Sequence, residues 1–282
     1  MVKIITDTTA CLPQSYVERH HLPVIPQIVS FGEESYYEGL EIDYATFLQR
    51  LQAEKELPKT AAPPPELFHE EFERLVPLGE AIFCIHPSAE VSGTVRSASL
   101  AAKEFPNADI RVIDTRLVAS PVGTLVQRAV QMAEQELAPN LIEAHLADMQ
   151  TRARVYFLVS TLEYLAKGGR IGGASALVGS VLQIKPILTM KEGIVQPFDR
   201  ARTQKRAISR LKEIVLEGYP TSGPGYLTVM QAAASEHAEN FAEAVKRELG
   251  LAEIPIYNLP PAIVVHGGPG VLGVSFFTGG ED

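Results

Sequence analysis

Apolar residues fall along this chain in two alternating kinds of run. Short runs rich in β-branched residues, at 2–6, 81–85 and 110–114, have the length of buried strands and close in polar residues. Between them the apolar positions recur at helical spacing. This predicts a short helix over 14–20 and one capped by Asp43 with Tyr44, Phe47, Leu48 and Leu51 on one face. A third follows the prolines at 63–65 with Leu67, Phe68, Phe72 and Leu75, a fourth spans 92–105, and a long fifth carries Val122, Leu125, Val126, Ala129 and Met132. Residues 24–31 read as one further strand. The alternation of strand and helix predicts a parallel sheet with helices on both faces, and it sets Asp7, Ser92 and Asp114 at the carboxyl edge, where such sheets bind ligands.

After a helix near 141–152 the pattern changes. Residues 155–160 open a second domain, and 184–190 and 194–198, joined by Lys191-Glu192-Gly193, read as a β-hairpin that a purely parallel fold would not contain. Strands at 226–231 and 254–258 flank a helix over 235–250. The expected architecture is α/β in two domains: residues 1–153 as a three-layer α/β/α domain with a parallel sheet, and 154–282 as a two-layer α/β domain with a mixed sheet.

Composition narrows the function. The 282-residue chain is 46% hydrophobic and 21% charged, ordinary for a globular protein, so disordered and fibrous classes are set aside. Its net charge of −9 supplies none of the basic field that nucleic-acid binding draws on. Two cysteines, Cys11 and Cys84, are too few for a disulfide framework and fit a reducing cytoplasm. The N-terminal run lacks the apolar core of a signal peptide, and the greasiest segment, 176–190, is broken by Gln183, Lys185 and Pro186 before it reaches membrane-spanning length.

Candidate chemistry gathers in loops. Ser92-Gly93-Thr94 stands between a strand and a helix, where free backbone N–H groups and two hydroxyls can converge on an oxyanion; Ser92 as a plain helix cap is the simpler reading. Asp7 is expected to cap the turn after its strand, with a place in a site as the alternative. Thr60 precedes a rigid proline corner, and its hydroxyl either bonds its own backbone or projects beside Ser92. Gly168-Gly169 holds Arg170 on a sharp turn, as a surface cation or as a bidentate partner of a carboxylate or phosphate. An apolar run delivers His266 into Gly267-Gly268-Pro269-Gly270, where an imidazole could donate to an oxyanion or exchange a proton near neutral pH. Arg200, Arg202, Lys205, Arg206, Arg210 and Lys212 form a basic cluster, either a solvated helix face or a docking patch. No phosphate-binding Gly-x4-Gly-Lys loop, no Gly-x-Ser-x-Gly elbow and no metal-ligand spacing is present, so neither cofactor nor metal is expected.

Taken in order, Thr6-Asp7-Thr8-Thr9, Thr60 before its prolines, Ser88-x3-Ser92-Gly93-Thr94, Asp114-Thr115, Thr161-Leu162-Glu163-Tyr164-Leu165-x-Lys167-Gly168-Gly169-Arg170-Ile171 and His266-Gly267-Gly268-Pro269-Gly270 make the chain resemble the DegV family over nearly its whole length. The resemblance implies a two-domain protein that binds a long-chain fatty acid, such as hexadecanoate, in a buried tunnel between its domains. It would present the carboxylate to a separate ATP-binding kinase subunit for acyl-phosphate formation in phospholipid metabolism, holding no ATP itself. By position, Thr60, Ser92, Gly93 and Thr94 resemble the residues that hold the carboxylate, and Arg170 and His266 the pair that manages the head group during transfer. Ala61, Ala62, Pro64 and Gly267 depart from the residues common in the family. The apolar turn 174–184 is expected to line part of the tunnel, and transient contact with a membrane surface fits the same picture. Two other readings stay open on the residues alone: a stand-alone acyl hydrolase with Ser92 as nucleophile and His266 as base, and a lipid-sensing regulatory protein.

Overall fold

The computed structural model describes residues 2–54, 56–178 and 184–279. The chain forms two compact units, Met1–Thr151 with Pro260–Ala262, and Arg152–Leu259 with Ile263–Asp282.

The first unit runs β1 (Val2–Asp7), α1 (Gln14–His20), β2 (Val24–Ile25), β3 (Ile28–Phe31), β4 (Glu34–Tyr37), α2 (Tyr44–Ala53), β5 (Lys59–Ala61), α3 (Pro65–Leu75), β6 (Ala81–His86), α4 (Thr94–Ala102), β7 (Ile110–Asp114), α5 (Ser120–Glu134) and α6 (Pro139–Arg152). Its main sheet, ordered β2-β1-β6-β7, is parallel throughout. Residues alternate across each strand, so Ile5, Ile82 and Cys84 pack with Phe68, Phe72, Ala98 and Ala101 of α3 and α4. The opposite-facing Ile4, Phe83 and Ile85 are equally buried, on the side that α5 covers. Burying both faces explains why these strands read as continuous apolar runs.

Three sequence expectations change here. Residues 24–31 are not one strand: β2 pairs with β1, while β3 belongs to a separate antiparallel sheet ordered β4-β3-β5. The break falls at Pro26, which has no N–H to continue a ladder. The extended segment before the proline corner is strand β5, with Thr60 opposite Val29; three residues are too few to show a period of two. The helix expected over 92–105 is also shorter, beginning at Thr94 with Gly93 at its cap position.

The second unit contains β8 (Ala153–Leu158), α7 (Glu163–Lys167), β9 (Lys185–Lys191), β10 (Ile194–Ala201), α8 (Gln204–Gly218), β11 (Thr228–Ala232), α9 (Ser235–Leu249), β12 (Ile256–Asn258), α10 (Pro261–Gly267, whose first residues belong to the other unit) and β13 (Val271–Phe277). Its sheet, β10-β9-β8-β13-β11-β12, is mixed: β11 and β12 run parallel and every other pair antiparallel. The β9–β10 hairpin turns on Glu192 and Gly193, both at positive φ, as a two-residue hairpin loop requires. Leu211, Ile214 and Val215 of α8 and Phe241 and Val245 of α9 close one sheet face over Leu158, Val229 and Val274. Strand β13, buried at every position, is absent from the sequence-based expectation, although Val-Leu-Gly-Val-Ser-Phe-Phe carries the signal of a fully buried strand. The run ahead of His266 is helix α10, opened by Pro261 at its first position. Of the segment 174–184 named as a tunnel lining, residues 179–183 lie outside the described residues.

Candidate functional site

In the first unit the loop from β6 to α4 is fixed by its neighbour, the loop after β7. Ser88 N–H donates to Leu117 O at 2.8 Å, and Asp114 Oδ1 accepts from Ala89 N–H at 3.2 Å and Arg116 N–H at 2.9 Å. Thr115 Oγ1 donates to His86 O at 2.8 Å. Asp114 therefore braces the site loop at the sheet's carboxyl edge. Held this way, Ser92 is partly buried and Thr94 fully buried, with their hydroxyls 2.8 Å apart and Thr94 N–H 3.3 Å from Ser92 Oγ. Ser92 so reaches the first residue of α4, one position short of an ordinary capping bond.

Thr60 is partly buried in β5. Its strand's exit meets the Ser92 loop directly, since a Cβ on Gly93 would stand 3.2 Å from Ala62 Cβ. The glycine leaves room for the Ala62 methyl, so the chain two residues beyond Thr60 lies against the Ser92–Thr94 loop.

Behind this loop lies a buried polar chain. Gln27 Nε2 donates to Thr94 Oγ1 at 2.9 Å and to Asp7 Oδ1 at 3.0 Å. Asp7 Oδ1 also accepts from the backbone N–H and hydroxyl of Thr9, which is the expected cap, and Asp7 Oδ2 lies 2.7 Å from His86 Nδ1. An accepting Oδ2 pairs here with a donating N–H at His86 Nδ1. Its Nε2 has no hydrogen-bond partner among the described residues, and the ring lies edge-on to Phe68. Asp7, Gln27, His86 and Thr94 are each at most 3% exposed. Sequence reasoning assigned no role to Gln27 or His86. The available signal was positional: a histidine ending an apolar strand beside an aspartate ending the next, and a glutamine straight after a strand-breaking proline.

Glu38 is buried in the same unit, with Oε2 accepting the Ala262 N–H. Burial pushes its carboxyl up to about 7, a rise that bonds from Thr8 and Ala262 only partly offset and that Asp7 adds to.

The second unit holds the other candidate pair. After α7, Gly168 N–H donates to Tyr164 O at 2.8 Å and Arg170 N–H to Leu165 O at 2.9 Å, with Gly169 at φ +71° completing the corner. Arg170 is partly buried rather than a free surface cation, and its Nη1 donates to Gly168 O at 2.7 Å. A Cβ on Gly168 would stand 2.2 Å from His266 Nδ1, so the imidazole occupies the space the glycine leaves. Burial, and next the Arg170 charge, hold His266 down at about 4. The expectation that it exchanges protons near neutral pH is therefore corrected: this imidazole is neutral there, a one-donor, one-acceptor group beside a fixed guanidinium.

Ser92, Gly93 and Thr94 thus form one cluster, with Ala62, two residues after Thr60, against it, and Arg170 and His266 form another, each inside its own unit. Of the basic group, Arg210 pairs with Asp199, Glu213 and Glu217, and Lys212 with Glu248, as on a solvated face. No cluster of three or more His, Cys, Asp or Glu suited to a metal occurs among the described residues, and none of their helices is long and apolar enough to cross a membrane.

Comparison with known proteins finds relatives over nearly the whole chain. A DegV domain-containing protein of Streptomyces coelicolor is 37% identical over 278 residues, covering 97% of each chain. Among solved structures, a DegV family protein from Thermus thermophilus described as fatty acid binding is 30% identical, with a TM-score of 0.86 over 98% of this chain and 99% of its own. A fatty acid binding DegV family protein from Streptococcus agalactiae is 26% identical, with a TM-score of 0.91 over 99% of both chains. The model of the DegV family itself matches residues 1–279, and the chain belongs to that family.

Proposed function

We propose that this protein binds a long-chain fatty acid and presents its carboxylate to a separate ATP-binding kinase subunit, which converts it to an acyl phosphate. The observation that supports the reading most is the Ser92–Thr94 loop, with two hydroxyls and the start of a helix beside Ala62, two residues on from Thr60, in a chain whose relatives of known structure bind fatty acids. Each buried methylene contributes about 0.8 kcal/mol, so a chain of about fifteen supplies on the order of 12 kcal/mol before association costs. The tail then provides affinity, and the head needs orientation. Neutral hydroxyls of Thr60 and Ser92, with the backbone at Gly93 and Thr94, orient a carboxylate without holding it as tightly as a lysine pair would.

In the transfer, one carboxylate oxygen attacks the γ-phosphorus of ATP and the bond from that phosphorus to the ADP oxygen breaks. No proton needs to be removed from the nucleophile, so no general base is required. This suits a histidine kept neutral. His266 and Arg170 act instead on the head group, the imidazole by hydrogen bonding and the guanidinium by balancing charge.

Thr60→Ala combined with Ser92→Ala tests the assignment. Hexadecanoate binding is expected to weaken about tenfold, and acyl-phosphate yield, trapped with hydroxylamine in the presence of a kinase subunit, to fall further than binding does. Unchanged yield contradicts the reading.

A further inference from the structure

We infer that Asp7 and Gln27 are positioning residues that fix the direction of the hydroxyl chain, so that the Ser92 O–H points out of the protein as a donor to the ligand head group; this rests on the fatty-acid reading above. Direction propagates from the inner end. Asp7 Oδ1 accepts three hydrogen bonds, from Thr9 N–H, the Thr9 hydroxyl and Gln27 Nε2. An acceptor at that point requires the nitrogen, not the oxygen, of the Gln27 amide, which settles the orientation of the amide.

The two Nε2 hydrogens are then both used, one on Asp7 and one on Thr94 Oγ1 at 2.9 Å. Thr94 Oγ1 accepts from Gln27, so its own proton goes to Ser92 Oγ, 2.8 Å away. Ser92 Oγ already accepts from the Thr94 hydroxyl and, at 3.3 Å, from the Thr94 N–H. Its proton is the one left over, and Ser92 is the one partly exposed member of the chain from Asp7 through Gln27 and Thr94. A hydroxyl pair alone can run either way; a pair tied to a buried carboxylate through an amide can run only outward. The chain therefore selects a head group that accepts, as an ionised carboxylate does.

Gln27→Met keeps the side chain's length and removes both donors. Thr94 Oγ1 then lacks a donor, and the Ser92 O–H is drawn inward to it. The test measures dissociation constants of hexadecanoate and of hexadecanol for delipidated protein, by displacement of a fluorescent fatty acid. Binding the carboxylate to the variant requires giving up about one hydrogen bond, so its Kd is expected to rise roughly three- to tenfold. Hexadecanol, which accepts or donates equally well, is expected to change less than twofold. A general loosening of the loop would weaken both ligands alike, and an unchanged ratio overturns the inference while leaving fatty-acid binding intact. A wild-type protein that takes up neither ligand overturns both. Should Gln27→Met fail to fold, wild-type protein labelled with 15N-glutamine answers the same question. Two slowly exchanging Nε2 protons on Gln27 support the fixed direction, and fast exchange at either overturns it.

Discussion

The two polar clusters reach order by opposite physical routes. In the first unit a small loop is stiffened by polar groups: the buried Asp7, Gln27 and Thr94 behind Ser92, and the partly exposed Asp114 bonded to Ala89. In the second the order comes from space. Gly168 leaves room for an imidazole, Gly169 turns the chain, and Arg170 Nη1 is tied back to Gly168 O. A buried polar network gives direction and selectivity at the risk of large penalties when one member is lost. A glycine-made cavity gives close approach, and it fails when anything is added.

The contrast can be broken most sharply at Gly168. In Gly168→Ala the added methyl would overlap His266 Nδ1 and crowd Tyr164 O. Because a side chain can swing away, the stability loss is expected to stay at about 1–3 kcal/mol. Displacing the imidazole is expected to lower acyl-phosphate yield about a hundredfold, measured at equal loading with fatty acid. The equivalent addition at Gly169, where a Cβ has open space but φ is +71°, should cost only the backbone strain.

The next largest effect concerns pH, and the two units differ in sign. Glu38 is raised from 4.5 to about 7, so the folded state holds a proton that the unfolded state releases. Its contribution is greatest below about 4.5 and is lost as pH rises through 7. Glu38→Gln is therefore expected to raise stability at pH 8 by up to about 3 kcal/mol relative to its effect at pH 4.5, read from urea midpoints at the two values. His266 runs the other way. Its folded value is depressed from 6.5 to about 4, so its contribution is present above 6.5 and lost as pH falls toward 4. Removing the smaller of the two causes, in Arg170→Gln, should move the His266 titration upward by less than burial alone displaces it, as followed by ring-proton NMR. An unchanged titration would show that Arg170 exerts no field there.

Much of this was legible from sequence because burial on both faces writes itself as unbroken apolar runs. β1 and β6 and the stripe of α5 announce the parallel sheet, and Lys191-Glu192-Gly193 announces the antiparallel hairpin of the second sheet. Elements that depend on distant partners were not legible. β5 is a strand because β3 lies beside it, and no feature of Lys-Thr-Ala shows that. The candidate residues were found where glycine and hydroxyl groups cluster in loops. Their supports were missed because Gln27 and His86 act through partners 20 and 79 positions away. The environment of His266 was misjudged for a related reason, since its neutrality is set by burial and by Arg170, far from it in the chain.

The most direct test of the central claim is mass spectrometry of the protein purified from a heterologous host, first native and then after solvent extraction. The account predicts one fatty acid per chain in the native spectrum, lost on denaturation and recovered in the extract as the free acid. A protein that arrives empty and takes up no added fatty acid, or one that keeps an acyl group covalently attached at Ser92 after denaturation, would contradict it.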